Sequence, residues 1–160
     1  MSRWPEPVER VAAALRQGGV DARVEEFPQG TPTAAAAAKA AGCSPAQIVK
    51  TLLFVCDGVP TLVLVPGDRR ADETKVAAAA RAKSARVARR EEVLAATGFE
   101  PGGVSPVPAG RPPVLVSREL LEHEWLWIGA GSERHMAGLS ASDLLRLARG
   151  RAADLTESGE

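Results

Sequence analysis

Two long apolar runs in the middle of the chain predict a central β-hairpin. They span residues 46–56 and 60–66, and an Asp-Gly dipeptide at 57–58, which favours tight turns between strands, separates them. Alternate side chains of an extended segment face opposite sides, and nearly every position on both faces of the first run is apolar. Lys50 is the exception. The pattern therefore predicts a buried hairpin with one charged side chain that needs an explanation.

Shorter patterned segments flank this hairpin. Apolar residues at helical spacing predict helices at 7–16, 34–41, from a cap at Asp72 to about 81, at 90–96, one turn at 118–122, and a last helix after Ser140. Alternating or short apolar runs predict strands at 20–27, 84–88, 114–116, 125–128 and 152–156. Short strands interleaved with short helices, several of them linked by hairpins, favour a mixed, mostly antiparallel α/β (α+β) sheet in a single domain over 1–160.

Helix ends carry the clearest local signals. Thr33 precedes an alanine-rich segment that Gly42 can end, and Ser140 precedes the last helix with Asp143 at the capping-box position. Such side chains accept hydrogen bonds from the free amides of the first helical turn. The alanine tract predicts a short helix whose small side chains let it pack closely against a sheet or a ligand.

Composition narrows the functional classes. The 160 residues are 45% hydrophobic and carry 20 basic and 20 acidic side chains, so no global positive field would draw the chain onto DNA, and contact with any nucleic acid must be local. Two cysteines without a CxxC spacing and two histidines, His123 and His135, give no metal-site pattern. Neither a signal peptide nor a membrane-spanning run is evident, and we expect a cytoplasmic protein.

Candidate chemistry centres on Lys50 and on the loop at 98–106. This loop holds two adjacent glycines between two prolines, which makes it shaped rather than flexible. A lysine within a strand and a rigid glycine loop suggest a site for an anionic or carbonyl-bearing group. The alternatives are that Lys50 reaches solvent at the strand edge or pairs with Asp72 or Glu73, and that the glycines form an ordinary tight turn.

Four stretches, taken in order, resemble the YbaK/EbsC family. They are IVKTL (48–52), VPGD (65–68) followed by Asp72, TGFEPGGVSP (97–106) and GAGS (129–132). That family includes the editing domain inserted in bacterial prolyl-tRNA synthetases and freestanding aminoacyl-tRNA deacylases. The resemblance implies a compact sheet partly rolled into a barrel and flanked by helices. It also implies hydrolysis of the ester that joins a wrong amino acid to its tRNA.

The resemblance also assigns residues to roles. The expected catalytic residues are Lys50, Gly102 and Gly103, and the expected substrate-binding residues are Ser105, Gly131, Ser132 and His135. Lys50 would hold a phosphate or the ester end as a point charge, and backbone amides at the two glycines would face the carbonyl oxygen or the attacking water. Purely structural roles are the alternatives. Ser105 can form a hydrogen bond within its own loop, and His135 can be an exposed or internally bonded histidine.

Two functions follow. The first is a freestanding trans-editing deacylase that acts on the acceptor end of a mischarged tRNA, of the proline type with a small amino acid such as Cys or Ala. It would need neither metal nor organic cofactor, and prolyl-tRNA synthetase is a candidate partner. The second is a non-catalytic module that binds a nucleotide or an amino acid.

Overall fold

The computed structural model describes residues 4–108 and 112–158. Its α-helices are α1 (Glu6–Gln17), α2 (Ala34–Ala41), α3 (Glu73–Ala79), α4 (Arg90–Thr97) and α5 (Ala141–Ala148). Its strands are β1 (Arg23–Glu26), β2 (Val49–Cys56), β3 (Val59–Pro66), β4 (Ala85–Val87), β5 (Val114–Ser117), β6 (Trp125–Ser132), β7 (His135–Ser140) and β8 (Gly150–Ala153). Short 3₁₀ turns lie at Pro45–Gln47, Pro101–Gly103 and Arg118–Glu122.

The strands form two sheets. A three-stranded antiparallel sheet has the order β1-β7-β6, and a five-stranded mixed sheet has the order β4-β2-β3-β5-β8, in which β5 runs parallel to both of its neighbours. A parallel bridge between Ile48 and Trp127 joins the two sheets. The predicted mixed, mostly antiparallel architecture is confirmed. Over the described residues the strands do not close into a barrel.

The central hairpin forms as predicted. β2 and β3 pair over their full length, and Asp57 and Gly58 both adopt positive φ at the turn, 49° and 84°. Leu53 on one face of β2 packs in a core with α1, β6 and α5, while Phe54 on the other face packs in a second core with α3 and Leu155. The five-stranded sheet is thus covered on both faces, which explains why both faces of its central strands are apolar.

The predicted caps are confirmed. Each cap side chain accepts a hydrogen bond of about 3 Å from an amide in the first turn of its helix, the pairs being Thr33 with Ala36, Asp72 with Thr74, and Ser140 with Asp143. The Asp72 carboxylate also accepts from the Lys75 amide. Helix starts could be predicted because a cap depends on a few adjacent residues. In the part of the chain that the structure describes, no helix has the length and hydropathy of a membrane span.

Two strand predictions need correction. The apolar pattern predicts no strand at 135–140, yet β7 is the central strand of the small sheet and pairs with both β1 and β6. Position 138 requires glycine because a Cβ there would stand only 2.6 Å from Nε1 of the Trp125 indole. The last strand was expected at 152–156 and lies at Gly150–Ala153, where β5 offers a free edge. Both outcomes depend on distant pairing partners, which local patterns do not contain.

Candidate active site

A cavity of about 380 Å³ collects four of the seven predicted site residues. Lys50 on β2, Gly102 in the 3₁₀ turn, and Ser132 and His135 at the β6–β7 turn all line it. The N-terminus of α2 closes another side with small residues, Thr33, Ala34 and Ala37 among them. The alanine tract therefore forms one wall of the cavity, and its small side chains leave the cavity open.

A second cleft of about 530 Å³ adjoins the first, and the two share Ser132 and His135. Gly103 and Gly131 line this second cleft. Six of the seven predicted site residues therefore lie around two adjoining clefts, although they come from three separate segments of the chain.

Ser105 departs from this group. It is buried, 3% exposed, and lines a different cavity beside α4. Its hydroxyl accepts a hydrogen bond of 3.2 Å from the Val107 amide, so it stabilises its own loop. This geometry fits the alternative raised from the sequence. Ser105 lines neither of the two adjoining clefts.

Lys50 is half-buried, and its ammonium donates a hydrogen bond of 2.5 Å to the carbonyl oxygen of Arg69. Burial is the main cause that lowers its pKa from the usual value, the Arg70 charge lowers it further, and the Asp68 carboxylate opposes both. Among the described residues Lys50 forms no salt bridge with Asp72 or Glu73. A lysine ammonium carries three donors, so it retains capacity for an anionic group in the cavity.

Gly103 is explained by close backbone packing. A Cβ at this position would stand 2.6 Å from the Ser132 nitrogen and 2.7 Å from the carbonyl carbon of Gly131. Its own amide is engaged, because it donates to the carbonyl oxygen of Glu100 at 2.9 Å. Gly103 therefore holds the glycine loop against the β6–β7 turn, and its amide is not free to bind a substrate.

Gly102 differs from its neighbour. It is exposed at the cavity, and its amide has no hydrogen-bond acceptor among the described residues. The side chain of Glu133 lies over it, with Cγ 2.6 Å from the place of a Cβ. Of the two adjacent glycines, Gly102 lines this cavity and has an amide without an acceptor among the described residues, whereas the Gly103 amide is bonded. The sequence does not distinguish the two.

The β6–β7 turn fixes Ser132 and His135 in contact. A bulge interrupts the strand pairing between Gly129 and Ser132, and Gly131 takes a φ of +102° that favours glycine. The Ser132 hydroxyl accepts from the Arg134 amide at 3.0 Å and lies 2.5 Å from Nδ1 of His135. The serine thus orients the imidazole toward the shared wall of the two clefts.

His135 is an internally bonded histidine with one edge near a carboxylate. It is 4% exposed, its Nε2 lies 4.0 Å from Oε2 of Glu26, and the Trp4 ring meets it edge to face with centroids 5.0 Å apart. Burial lowers the pKa of His135, which outweighs the opposing effect of Glu26, and Arg134 lowers it further. These effects together favour the neutral form of the imidazole over the charged form.

Glu26 and Glu133 are site neighbours that sequence reasoning missed. One contacts His135 across the small sheet and the other covers Gly102. No local motif marks either residue, since both are exposed carboxylates. Strand pairing places Glu26 opposite His135, and the β6–β7 turn carries Glu133. No group of three or more potential metal ligands occurs over 4–108 and 112–158.

Comparison with known proteins identifies the family. The model of the aminoacyl-tRNA editing domain matches residues 28–147, about three quarters of the chain. The chain is 34% identical over 115 residues to the proline–tRNA ligase of Acidithiobacillus ferrooxidans, covering 72% of this chain and 19% of the ligase. It is 40% identical over 93 residues to the ligase of Solidesulfovibrio magneticus, covering 57% and 16%. The chain thus spans less than a fifth of these relatives' length.

A solved structure agrees over the whole fold. The crystal structure of a candidate trans-editing enzyme for prolyl tRNA synthetase superimposes with a TM-score of 0.88 at 35% identity, covering 97% of this chain and 99% of the other. The resemblance stated from the sequence is confirmed: the chain belongs to the aminoacyl-tRNA editing domain family.

Proposed function

We propose that this protein is a trans-editing deacylase, which hydrolyses the ester between a small amino acid and a tRNA. The observation that carries the proposal is the meeting of Lys50, the free Gly102 amide, Ser132 and His135 around one cavity. A cation, an amide donor and an oriented neutral imidazole suit an acyl ester that ends on a phosphate-bearing nucleotide.

The reaction needs little from the protein beyond positioning. A water oxygen attacks the ester carbonyl carbon, the bond from that carbon to the ribose oxygen breaks, and the ribose oxygen takes a proton. The products are a free amino acid and a tRNA with a free terminal hydroxyl. Gly102 lines the cavity, and its amide, which has no acceptor among the described residues, would serve as the fixed donor that stabilises negative charge on the carbonyl oxygen in the transition state. An activated ester does not require a covalent nucleophile.

Lys50 and His135 would hold the two ends of the substrate. Lys50 offers a positive charge for a phosphate of the terminal nucleotide, and its remaining donors allow this without breaking the bond to Arg69. His135 forms a rigid wall that touches the amine or the sugar. The Ser132 contact restricts the imidazole to one orientation, so its free edge presents a fixed hydrogen-bonding group.

The substrate is proposed from the cavity and the relatives together. Small and aliphatic side chains line the cavity, with Ala34, Ile48 and Met136 on its walls, which fits alanine or cysteine as the amino acid. The matched relatives are proline–tRNA ligases, which favours tRNA of the proline type. The net charge of zero suits recognition of the acceptor end, with prolyl-tRNA synthetase supplying further grip.

The test is hydrolysis of alanyl-, cysteinyl- and seryl-tRNA of the proline type by the purified protein, with and without a chelator. We expect selective deacylation that the chelator does not reduce. Lys50→Ala is expected to abolish it at tRNA concentrations below KM, because removal of the ammonium leaves the phosphate without its cation. Lys39→Ala is the matched control, since Lys39 is exposed on α2 and does not line the cavity.

Both outcomes are informative. Loss of activity in Lys50→Ala with an unchanged circular dichroism spectrum and full activity in Lys39→Ala supports the proposal. Absence of turnover on every substrate, with prolyl-tRNA synthetase present, rejects it in favour of a non-catalytic binding module.

A further inference from the structure

Lys50 depends on a loop that is fixed from outside the cavity. The acceptor of its hydrogen bond is the backbone carbonyl of Arg69, in the loop that follows β3. A lysine side chain has four rotatable bonds, so a fixed acceptor is what confines its ammonium to one place. Whatever holds the Arg69 carbonyl therefore also holds Lys50.

The C-terminal segment pairs with this loop along the backbone. The Asp72 amide donates to the carbonyl oxygen of Leu155 at 2.8 Å, and the Glu157 amide donates to that of Arg70 at 2.8 Å. Leu155 anchors the segment, since it is fully buried in the core beneath the sheet. The residues directly after Arg69 are thus tied to the end of the chain, which lies beyond the residues matched by the family model.

Side chains tie down Arg69 itself. Its guanidinium lies 3.4 Å from Oε2 of Glu119 and donates to the carbonyl oxygen of Glu157 at 3.3 Å. The other oxygen of Glu119 accepts from the hydroxyls of Thr156 at 2.5 Å and Ser117 at 3.2 Å. Those two hydroxyl residues are 3% and 1% exposed. Buried hydroxyl groups therefore fix the Glu119 carboxylate, in addition to its contact with Arg69.

We infer that Glu119 and Thr156 are positioning residues for Lys50, acting through Arg69. This inference rests on the proposed function for its effect on turnover, and on geometry alone for its effect on Lys50. The Arg69–Glu119 ion pair has both side chains about one third exposed, and such pairs add little to stability. The ion pair instead fixes the position of the Arg69 carbonyl, and this carbonyl fixes the position of the Lys50 ammonium.

Two variants and a control test the inference. Glu119→Ala removes the carboxylate, and Thr156→Val removes only the hydroxyl that orients it, with no change of charge. Asp154→Asn is the matched control, because Asp154 is a nearby exposed carboxylate that pairs with Lys75 and, among the described residues, forms no ion pair with Arg69. The full chain is used throughout, and circular dichroism confirms that each variant is folded.

The first measurement is the titration of the lysine ε-carbons by NMR, which needs no substrate. The chain has only four lysines, so Lys50 can be assigned with Lys50→Arg. Asp68 and Arg70 act on its charge in every variant. Loss of a well-placed carbonyl acceptor disfavours the charged form. We expect a lower Lys50 pKa in Glu119→Ala and Thr156→Val, and no change in Asp154→Asn.

The second measurement is steady-state deacylation. Lys50 would hold the phosphate in both the ground state and the transition state. Loss of this binding in the variants therefore raises KM and leaves kcat nearly unchanged. We expect kcat/KM to fall in Glu119→Ala by up to about 100-fold, the loss that a misplacement of about 1 Å in an active site causes. A general loss of folded enzyme would instead lower kcat.

The outcomes separate the two proposals. An unchanged Lys50 titration in both variants overturns the positioning role, whatever the activity. A shifted titration in a protein that deacylates none of the tRNAs upholds the positioning role and rejects the proposed function.

Discussion

Gly103→Ala is expected to push apart the two loops that line the candidate active site. The added Cβ would stand 2.6 Å from the Ser132 nitrogen, 2.7 Å from its Cα and 2.7 Å from the carbonyl carbon of Gly131. All three are backbone atoms, so no side chain can turn away to make room. The φ of Gly103 is not positive, so alanine itself is unstrained there and the whole effect comes from the contact.

The magnitude follows from these distances. Ordinary contacts of a Cβ begin at 3.4 Å, so the 3₁₀ turn and the β6–β7 turn must separate by about 0.8 Å. Overpacking of this kind costs about 1–3 kcal/mol in the free energy of unfolding. For a chain of this size, each kcal/mol lowers Tm by roughly 2–4 °C. A displacement approaching 1 Å at reacting groups lowers kcat/KM by about 100-fold.

Gly58→Ala is the matched control. Gly58 lies at the tip of the central hairpin with a φ of +84°, and a Cβ there would meet no atom within 4 Å. Alanine in that backbone conformation costs roughly 1–2 kcal/mol, a loss within the range expected for Gly103→Ala.

Thermal unfolding and deacylation of alanyl-tRNA, measured well below both midpoints, are the assays. We expect both variants to lose stability and Gly103→Ala alone to lose activity. A Gly103→Ala protein with the Tm and kcat/KM of the unsubstituted chain would refute the close approach of the two loops.

Two further predictions concern the same site. In Gly102→Ala the added methyl group contacts only the flexible side chain of Glu133, so we expect the free energy of unfolding to change by less than about 0.5 kcal/mol. The methyl group lies beside the free amide, and we expect it to lower kcat/KM. Activity equal to that of the unsubstituted protein would contradict a role for this amide. The pKa of His135 is lower in the folded protein than the ordinary histidine value of about 6.5, so below that pH the unfolded chain binds more protons than the folded protein does. The stability present above that pH is therefore lost as the pH falls. Urea unfolding between about pH 5 and 8 should show a steeper loss for the unsubstituted protein than for His135→Gln, and identical slopes would show that His135 does not contribute.

The sequence motifs indicated which residues to examine, and tertiary contacts decided which of them line the two clefts. Lys50 stood out because a charge interrupts an apolar strand, and the structure places it at the cavity. Ser105 lies in the same glycine-rich motif, yet its loop turns its hydroxyl back to the Val107 amide. A motif gives the order of residues along the chain but not the direction in which each side chain points.

The sequence alone determined the features that neighbouring residues control. The caps at Asp72 and Ser140 follow from side chains that reach amides two or three residues away, and the central hairpin follows from its apolar runs and its turn. Mixed α/β architecture follows from the succession of such elements.

Only the tertiary structure decided the rest, because it depends on contacts between residues far apart in the chain. β7 is a strand because β1 and β6 pair with it on both sides. Gly103 is required because the backbone at Ser132 lies against it, and the Lys50 ammonium has its position because the chain end holds the loop that contains Arg69. Local propensities encode none of these distances, since each arises when separately formed elements pack together.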